Sequence, residues 1–241
     1  MNLNDFQNFN INIQHKNYFP QFTPKDTFMN ILSLNIQSIR NKLTDFTNYI
    51  ESSKVPLHAI VLTETHLKKN ELPFFNLPCY QAHHSTRESG RFGGVSIYVR
   101  NDFSTSSLLL SQDVENNNSL VVNVDKLNIK IVGIYKQRES NLRNFLSRLD
   151  FILDNHKNCL IFGDFNLDLF LRNDDPHIKH YYDYVISSGY LFLNSLCHSM
   201  PTRVDTSRGT RTCIDHVITD VMFHKHDLHF SLHLDDLFGD H

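Results

Sequence analysis

The run Cys159-Leu160-Ile161-Phe162-Gly163-Asp164-Phe165-Asn166-Leu167-Asp168 constrains the chain more than any other stretch. Leu160 to Phe162 has the composition of a buried strand, and Gly163 opens the turn at its end. Residues two apart in an extended segment share a side, so Asp164 and Asn166 can face one site. A carboxylate beside a neutral amide suits phosphoryl chemistry: the first orients water, the second donates a hydrogen bond to a phosphate oxygen. Taken alone, the stretch reads more readily as an ordinary Gly/Asp/Asn turn at a strand end than as a site. What makes it a site must come from elsewhere in the chain.

The 241 residues suit one large domain. Apolar residues make up 40% and charged residues 20%, the balance of a globular chain, and no apolar run approaches the ~18 residues of a membrane span. No basic-then-apolar leader opens the sequence. Cys79, Cys159, Cys197 and Cys213 are widely spaced with no C-x-x-C pair, which points to a reduced intracellular protein over a disulfide scaffold. The formal net charge of −3 gives no overall field for nucleic acid, but arginines and lysines gather locally around residues 87–100, 136–148 and 203–211.

Residues 1–27 are rich in Asn, Gln and Phe without a sustained period, and read as a flexible lead-in. From Phe28 the pattern becomes regular. Met29 to Asn35, Ala59 to Thr63 and Val95 to Val99 read as strands, with Ser106 to Leu110 as hairpin partner of the last. Leu120 to Val124 and Leu127 to Tyr135 form a second hairpin, and Leu191 to Asn194, Val217 to Thr219 and Leu228 to Leu232 are short strands. Helical spacing marks a segment capped by Ser38 (Ile39, Leu43, Phe46, Ile50), another from Asn141 to Asn155, and a third opened by Pro176 and stopped by Gly189. Strands outnumber helices at irregular intervals, which predicts an α+β fold of two packed sheets with helices outside.

Several strands end in a residue suited to metal or phosphate: Asn35, Glu64, Tyr135, Asp164 with Asn166, and Asp215, while Asp240-His241 closes the sequence. Each has a duller explanation as a cap or an edge residue. Together they supply carboxylates, amides, a phenol and an imidazole, the inventory of metal-assisted phosphodiester hydrolysis.

The blocks LNIQSIRNK at Leu34, VLTETHL at Val61, GGVSIYVR at Gly93 and VGIYK at Val132, with IFGDFNLD at Ile161, PTRV at Pro201, TCIDHVIT at Thr212 and GDH at Gly239, carry a resemblance. In this order the chain resembles the endonuclease/exonuclease/phosphatase superfamily, and within it the endonuclease domain of LINE-type (non-LTR) retrotransposons. The resemblance spans residues 28–241 and implies a four-layer αββα sandwich like deoxyribonuclease I. It implies Glu64 and Asn35 at a Mg²⁺ ion, for which Mn²⁺ can substitute. It implies Asp164 on the attacking water, Asn166 and His241 on the charged intermediate state, and Asp215 orienting His241. Tyr135 would donate to the phosphate, and Asp240 would support metal or water.

Members of the family nick double-stranded DNA, leaving a 3′-hydroxyl that primes reverse transcription. The expected partners are therefore DNA and a reverse transcriptase module, with nuclear action following from the substrate and no membrane involved. Thr202, by resemblance, and Arg203, Arg87 and Arg91, by charge, are candidates for DNA contact; for Arg87 and Arg91 solvated surface has equal standing. Two departures stand out: Gly239 replaces the usual Ser, and relatives continue past His241 into one more core strand, so the domain is expected to lack that strand. His224, His226, His229 and His233 match no zinc pattern and read as scattered surface histidines. Two alternatives stay open: a phosphatase or phosphodiesterase of the same superfamily acting on inositol, lipid or nucleotide phosphates, and a truncated inactive relative kept for binding.

Overall fold

The structure, a computed structural model, describes residues 10–13, 29–53, 56–86, 93–109, 117–193, 201–205, 207–220 and 229–232. In chain order the elements are β1 (Asn10–Ile13), β2 (Ile31–Asn35), α1 (Leu43–Ser52), β3 (Ala59–Thr63), β4 (Tyr80–Ser85), β5 (Val95–Arg100), β6 (Thr105–Leu109) and β7 (Asn118–Val124). They continue with β8 (Ile129–Tyr135), α2 (Leu142–Asn155), β9 (Cys159–Asp164), α3 (Pro176–Ser187), β10 (Tyr190–Phe192), β11 (Arg203–Asp205), β12 (Thr210–Thr212), β13 (Asp215–Asp220) and β14 (His229–Leu232).

Two mixed sheets form the centre. One has the order β2-β3-β5-β4, the other β10-β13-β9-β8-β7-β6. Side-chain alternation divides each strand between two cores. In β3, Ala59 and Val61 face the opposite sheet, while Ile60 and Leu62 face α1 and its Phe46. In β9, Leu160 and Phe162 join the inter-sheet core, while Cys159 and Ile161 pack against α2 and α3. Three apolar layers thus separate four structural ones, the αββα sandwich implied by the resemblance. The sheets approach closely at Gly133, where an added Cβ would lie 2.5 Å from Val95 Cγ1 and 3.3 Å from Val61 Cγ1.

The helices start where local chemistry allows. Asn141 accepts from Arg143 N and Asn144 N to cap α2, and Asp175 does the same for α3 through His177 N and Ile178 N, with Pro176 in the first turn. Gly189, at φ +83°, follows the end of α3. The first helix corrects the sequence reading: it begins at Leu43, with Lys42 at the N-cap, not after Ser38. Ser38 lies at φ +74° and its N–H goes to Glu64 O at 2.8 Å, so its backbone serves the neighbouring loop instead.

Three further differences concern strands. β6 pairs with β7 of the larger sheet, not with β5. Phe103 packs on the inter-sheet core and Asp125 N bonds Ser104 O, which carries the chain across after β5. β4 and the β11–β12 hairpin were not expected, since the alternation in Tyr80-Gln81-Ala82-His83-His84-Ser85 stops at two apolar residues and Arg203-Val204-Asp205 has only one. Within the predicted lead-in, Asn10–Ile13 pairs in parallel with His229–Leu232. Among the described residues no helix is long and apolar enough to cross a membrane.

Candidate active site between the sheets

Strand parity places the predicted residues. Asn35 lies two positions beyond Ser33 and four beyond Ile31, which packs on the inter-sheet core, so Asn35 turns into the gap. Asp164 follows Phe162 by two, and Asp215 precedes Val217 by two. Tyr135 itself belongs to that core. The registers then set three of these side by side, since Asp164 is the cross-strand partner of both Asp215 and Tyr135. Asn35 approaches from the opposite sheet.

Contact across the gap is direct. Asn35 Nδ2 donates to Asp164 Oδ2 at 2.9 Å and to Glu64 Oε1 at 3.0 Å, and Asn35 Oδ1 accepts from Gln37 N at 3.1 Å. These partners fix the amide orientation, because a flipped group would set its oxygen against two carboxylates. Asp164 is 1% exposed and Asn35 1%, so that end of the bridge is closed off from bulk water, while the Glu64 side chain stays 19% exposed. Asp164 Oδ1 accepts from Asn166 N at 2.9 Å, and Asn166 Nδ2 donates to Lys136 O at 2.9 Å. One amide hydrogen of Asn166 is thereby bound to the chain, and the amide carries a second.

The loops holding these groups are strained and tied to one another. Gln37, Ser38, Glu64, His66 and Asn166 all have positive φ, between +46° and +74°. Such conformations cost about 1–3 kcal/mol each and persist only where the surroundings enforce them. Here Ile36 N bonds Thr63 O, Ser38 N bonds Glu64 O, Thr65 N bonds Gly94 O and His66 N bonds Gly93 O, extending the β2-β3-β5 ladder past the strands. Gly94 N donates to Asn118 Oδ1 at 3.0 Å, linking this sheet to β7 of the other. Farther out, Arg40 makes a paired bond to Glu71, and this bond, with the Lys68 amide, holds the Glu71 carboxyl down to about 2. The loops after Asn35 and after Glu64 are therefore clipped together.

Thr202 is buried, and its Oγ1 accepts from both Ile214 N and Asp215 N at 3.0 Å. Its hydroxyl hydrogen is the part still able to donate outward. Arg203 begins the β11–β12 hairpin, which carries exposed Arg208 in its turn and exposed Arg211 in β12. Arg87, Arg91, Asp240 and His241 lie outside the described residues, as do His224, His226 and His233.

Sequence reasoning passed over His66, whose Nε2 lies 3.4 Å from Glu64 Oε2. The same two-residue spacing that flagged Asp164 and Asn166 would have found it. It also passed over Asn118 and Lys136, whose contributions run through contacts between strands distant in sequence.

Among the described residues no group of three or more His, Cys, Asp or Glu is gathered around a cation site. The donors present are two carboxylates joined through an amide, with Asp215 alongside. Such a set fits Mg²⁺, which keeps several waters and takes only one or two carboxylates besides substrate phosphate. It lacks the cysteines and histidines that supply most ligands of a zinc site.

The Endonuclease/Exonuclease/phosphatase family model matches residues 32–240. No curated protein matches the chain. Solved structures with a similar fold include an AP endonuclease from Archaeoglobus fulgidus, with 14% identity over 80% of this chain and 87% of that one and a TM-score of 0.63. The 3′ phosphatase NExo from Neisseria, bound to a product DNA hairpin, shares 15% identity over 82% and 88%, with a TM-score of 0.61. The endonuclease domain of TRAS1, a telomere-specific non-LTR retrotransposon, shares 17% over 80% and 85%, with a TM-score of 0.59.

Proposed function

The chain belongs to the Endonuclease/Exonuclease/phosphatase family, and on that premise we propose that it is a Mg²⁺-dependent DNA endonuclease. It nicks one strand of a duplex and leaves a 3′-hydroxyl for target-primed reverse transcription. The observation that carries the reading is the buried Asn35 amide joining Glu64 to Asp164 across the two sheets. A bridge of that kind sets a cation-binding carboxylate and a water-activating carboxylate at a fixed separation, as in-line attack on a phosphodiester requires.

Glu64 would hold the cation through its carboxylate and Asn35 through Oδ1, a carbonyl oxygen with a second lone pair besides the one facing Gln37 N. Mg²⁺ bound there, with Mn²⁺ as a substitute, supplies positive charge against the phosphate oxygens. Asp164 accepts the proton of the attacking water, its carboxylate aimed by the Asn35 amide and Asn166 N. The second Asn166 amide hydrogen and the Tyr135 hydroxyl donate to the phosphate as charge builds. Asp215, beside Asp164 in the ladder, is placed to orient an imidazole, the role proposed for it toward His241. Asp240 would support metal or water from its place before His241. Thr202, Arg203, Arg87 and Arg91 serve the DNA backbone. The reverse transcriptase module and the nucleus are the partner and location this substrate entails.

The test is supercoiled-plasmid nicking with Mg²⁺ and with EDTA, comparing the chain with Asp164→Ala. Nicking that needs Mg²⁺ and falls by about 10²–10³-fold in the variant supports the reading. Equal nicking by both overturns it. The likeness to a 3′ phosphatase favours one rival, a phosphatase of the same family; hydrolysis of a phosphomonoester with no plasmid nicking would select it.

A further inference from the structure

We propose that His216 is a positioning residue, holding Asp215 and the Asp164–Asn166 turn in register from behind the sheet. The inference rests on the hydrolase reading for what Asp215 does, but its geometry stands by itself.

His216 follows Asp215 in β13, so alternation turns it to the opposite face, into the core beneath α2 and α3. It is 1% exposed. Its Nε2 lies 3.1 Å from Cys213 O and its Nδ1 2.9 Å from the Tyr181 hydroxyl. A carbonyl only accepts, so the proton sits on Nε2; Nδ1 then accepts, and Tyr181 donates to it. Burial lowers the imidazole to about 4, which keeps this neutral tautomer at working pH.

What the ring holds is the segment leading into Asp215. Every backbone polar group from Cys213 N to Asp215 N is bonded. Cys213 N donates to Asp168 Oδ1, and Cys213 O accepts from Leu169 N as well as from His216. Ile214 N and Asp215 N go to Thr202, and Ile214 O accepts from Phe165 N. The same ring stacks on Phe165 at 4.7 Å between centroids and 20° between planes. Phe165 stands between Asp164 and Asn166. One side chain therefore touches both limbs of the site, the Asp215 limb by a hydrogen bond and the Asp164 limb by its face. A ring that merely filled the core would need neither nitrogen.

His216→Phe keeps the stacking and loses both hydrogen bonds, whereas His216→Gln keeps a donor near the Nε2 position. The test is steady-state Mg²⁺-dependent nicking of both variants and of Tyr181→Phe, after near-UV circular dichroism confirms folding. Displacing a reacting group slightly costs rate and leaves substrate affinity, so we expect kcat to fall about tenfold or more in His216→Phe with KM within about twofold. His216→Gln should recover much of that loss. A kcat near wild type in folded His216→Phe, or no recovery in His216→Gln, overturns the proposal. If neither His216 variant folds, Tyr181→Phe decides: a several-fold lower kcat supports the proposal, and an unchanged one overturns it. If the parent chain hydrolyses no phosphodiester, the functional reading has failed instead. Amide exchange at Ile214 and Asp215 then decides the positioning claim, faster exchange in the folded variants supporting it and unchanged exchange overturning it.

Discussion

Asn35 Nδ2 stands 2.9 Å from Asp164 Oδ2 although 129 positions separate them in the chain. The same nitrogen serves Glu64, so this neutral amide is what allows two carboxylates to share a closed space. A third negative charge at that point would repel both. Asn35→Asp should therefore be worse than Asn35→Ala, although it is the closer match in shape. We expect single-turnover nicking to fall about 10²-fold in the alanine variant and further in the aspartate variant. An aspartate variant as active as the alanine one would mean that the amide's neutrality is irrelevant.

Gly163 lies within β9 and opens no turn, and the strand there depends on a missing side chain. A Cβ on Gly163 would lie 1.8 Å from Ile134 O, its ladder partner's carbonyl, and 2.7 Å from the carbon behind it. Both are backbone atoms in the middle of the larger sheet and have nowhere to move. Gly163→Ala should cost roughly 3 kcal/mol or more in urea denaturation. Gly209, at φ +64° with nothing within 4 Å of its absent Cβ, should lose only about 1 kcal/mol on the same change.

Acid should unfold the protein earlier than its carboxylates alone would dictate. Burial lowers His216 from 6.5 to about 4, and His84, bonded to Ser96, likewise to about 4. Between those values the unfolded chain binds protons that the folded chain refuses, so stability is complete above about 6.5 and declines as pH falls toward 4. Each such histidine is worth on the order of 3 kcal/mol across that window. Denaturation midpoints measured from pH 7 to pH 4 should fall steeply, and His216→Gln, if folded, should flatten the slope.

How far the site was legible depended on distance along the chain. Asp164 and Asn166 announce themselves because period two is local, and Glu64 and Asn35 because each closes an apolar strand. That Asn35 turns its nitrogen, not its oxygen, toward the carboxylates was not legible, since it follows from Gln37 N and from a strand of the other sheet. The helix expected from Ser38 failed for a similar reason: a tertiary hydrogen bond to Glu64 O competes with the cap. β4 was hidden because only Tyr80 and Ala82 give it an apolar face, while His83 and Gln81 both meet the polar Thr105 on the other. Phe165 and His216 carry no signal of their own in the sequence, and both lie buried; the hydrogen bond from His216 to Cys213 O appears only once the fold is known.

The basic β11–β12 hairpin ends at Thr212, three residues before Asp215, and is attached through Thr202 N to Thr212 O. Arg208 is largely exposed, its nearest acid Asp205 at 3.8 Å, a pairing of little energetic weight. Arg208→Ala and Arg211→Ala should each weaken duplex binding and lower the salt dependence of log Kd by about one unit of slope. The single-turnover rate at saturating DNA should hold. Loss of rate with affinity intact would place these arginines in the chemistry instead.

The alternation that sorts side chains between the gap and the outer layers also governs which length changes the protein can survive. Deleting one residue between Leu160 and Asp164 would swing the carboxylate out of the gap and under α2, whereas deleting two would shorten the strand yet return an acid to its facing. In β2, β8, β9 and β13 alike, the site residue stands an even number of positions from a core residue of its own strand, so odd insertions erase the site even where the sheet itself could absorb them as a bulge.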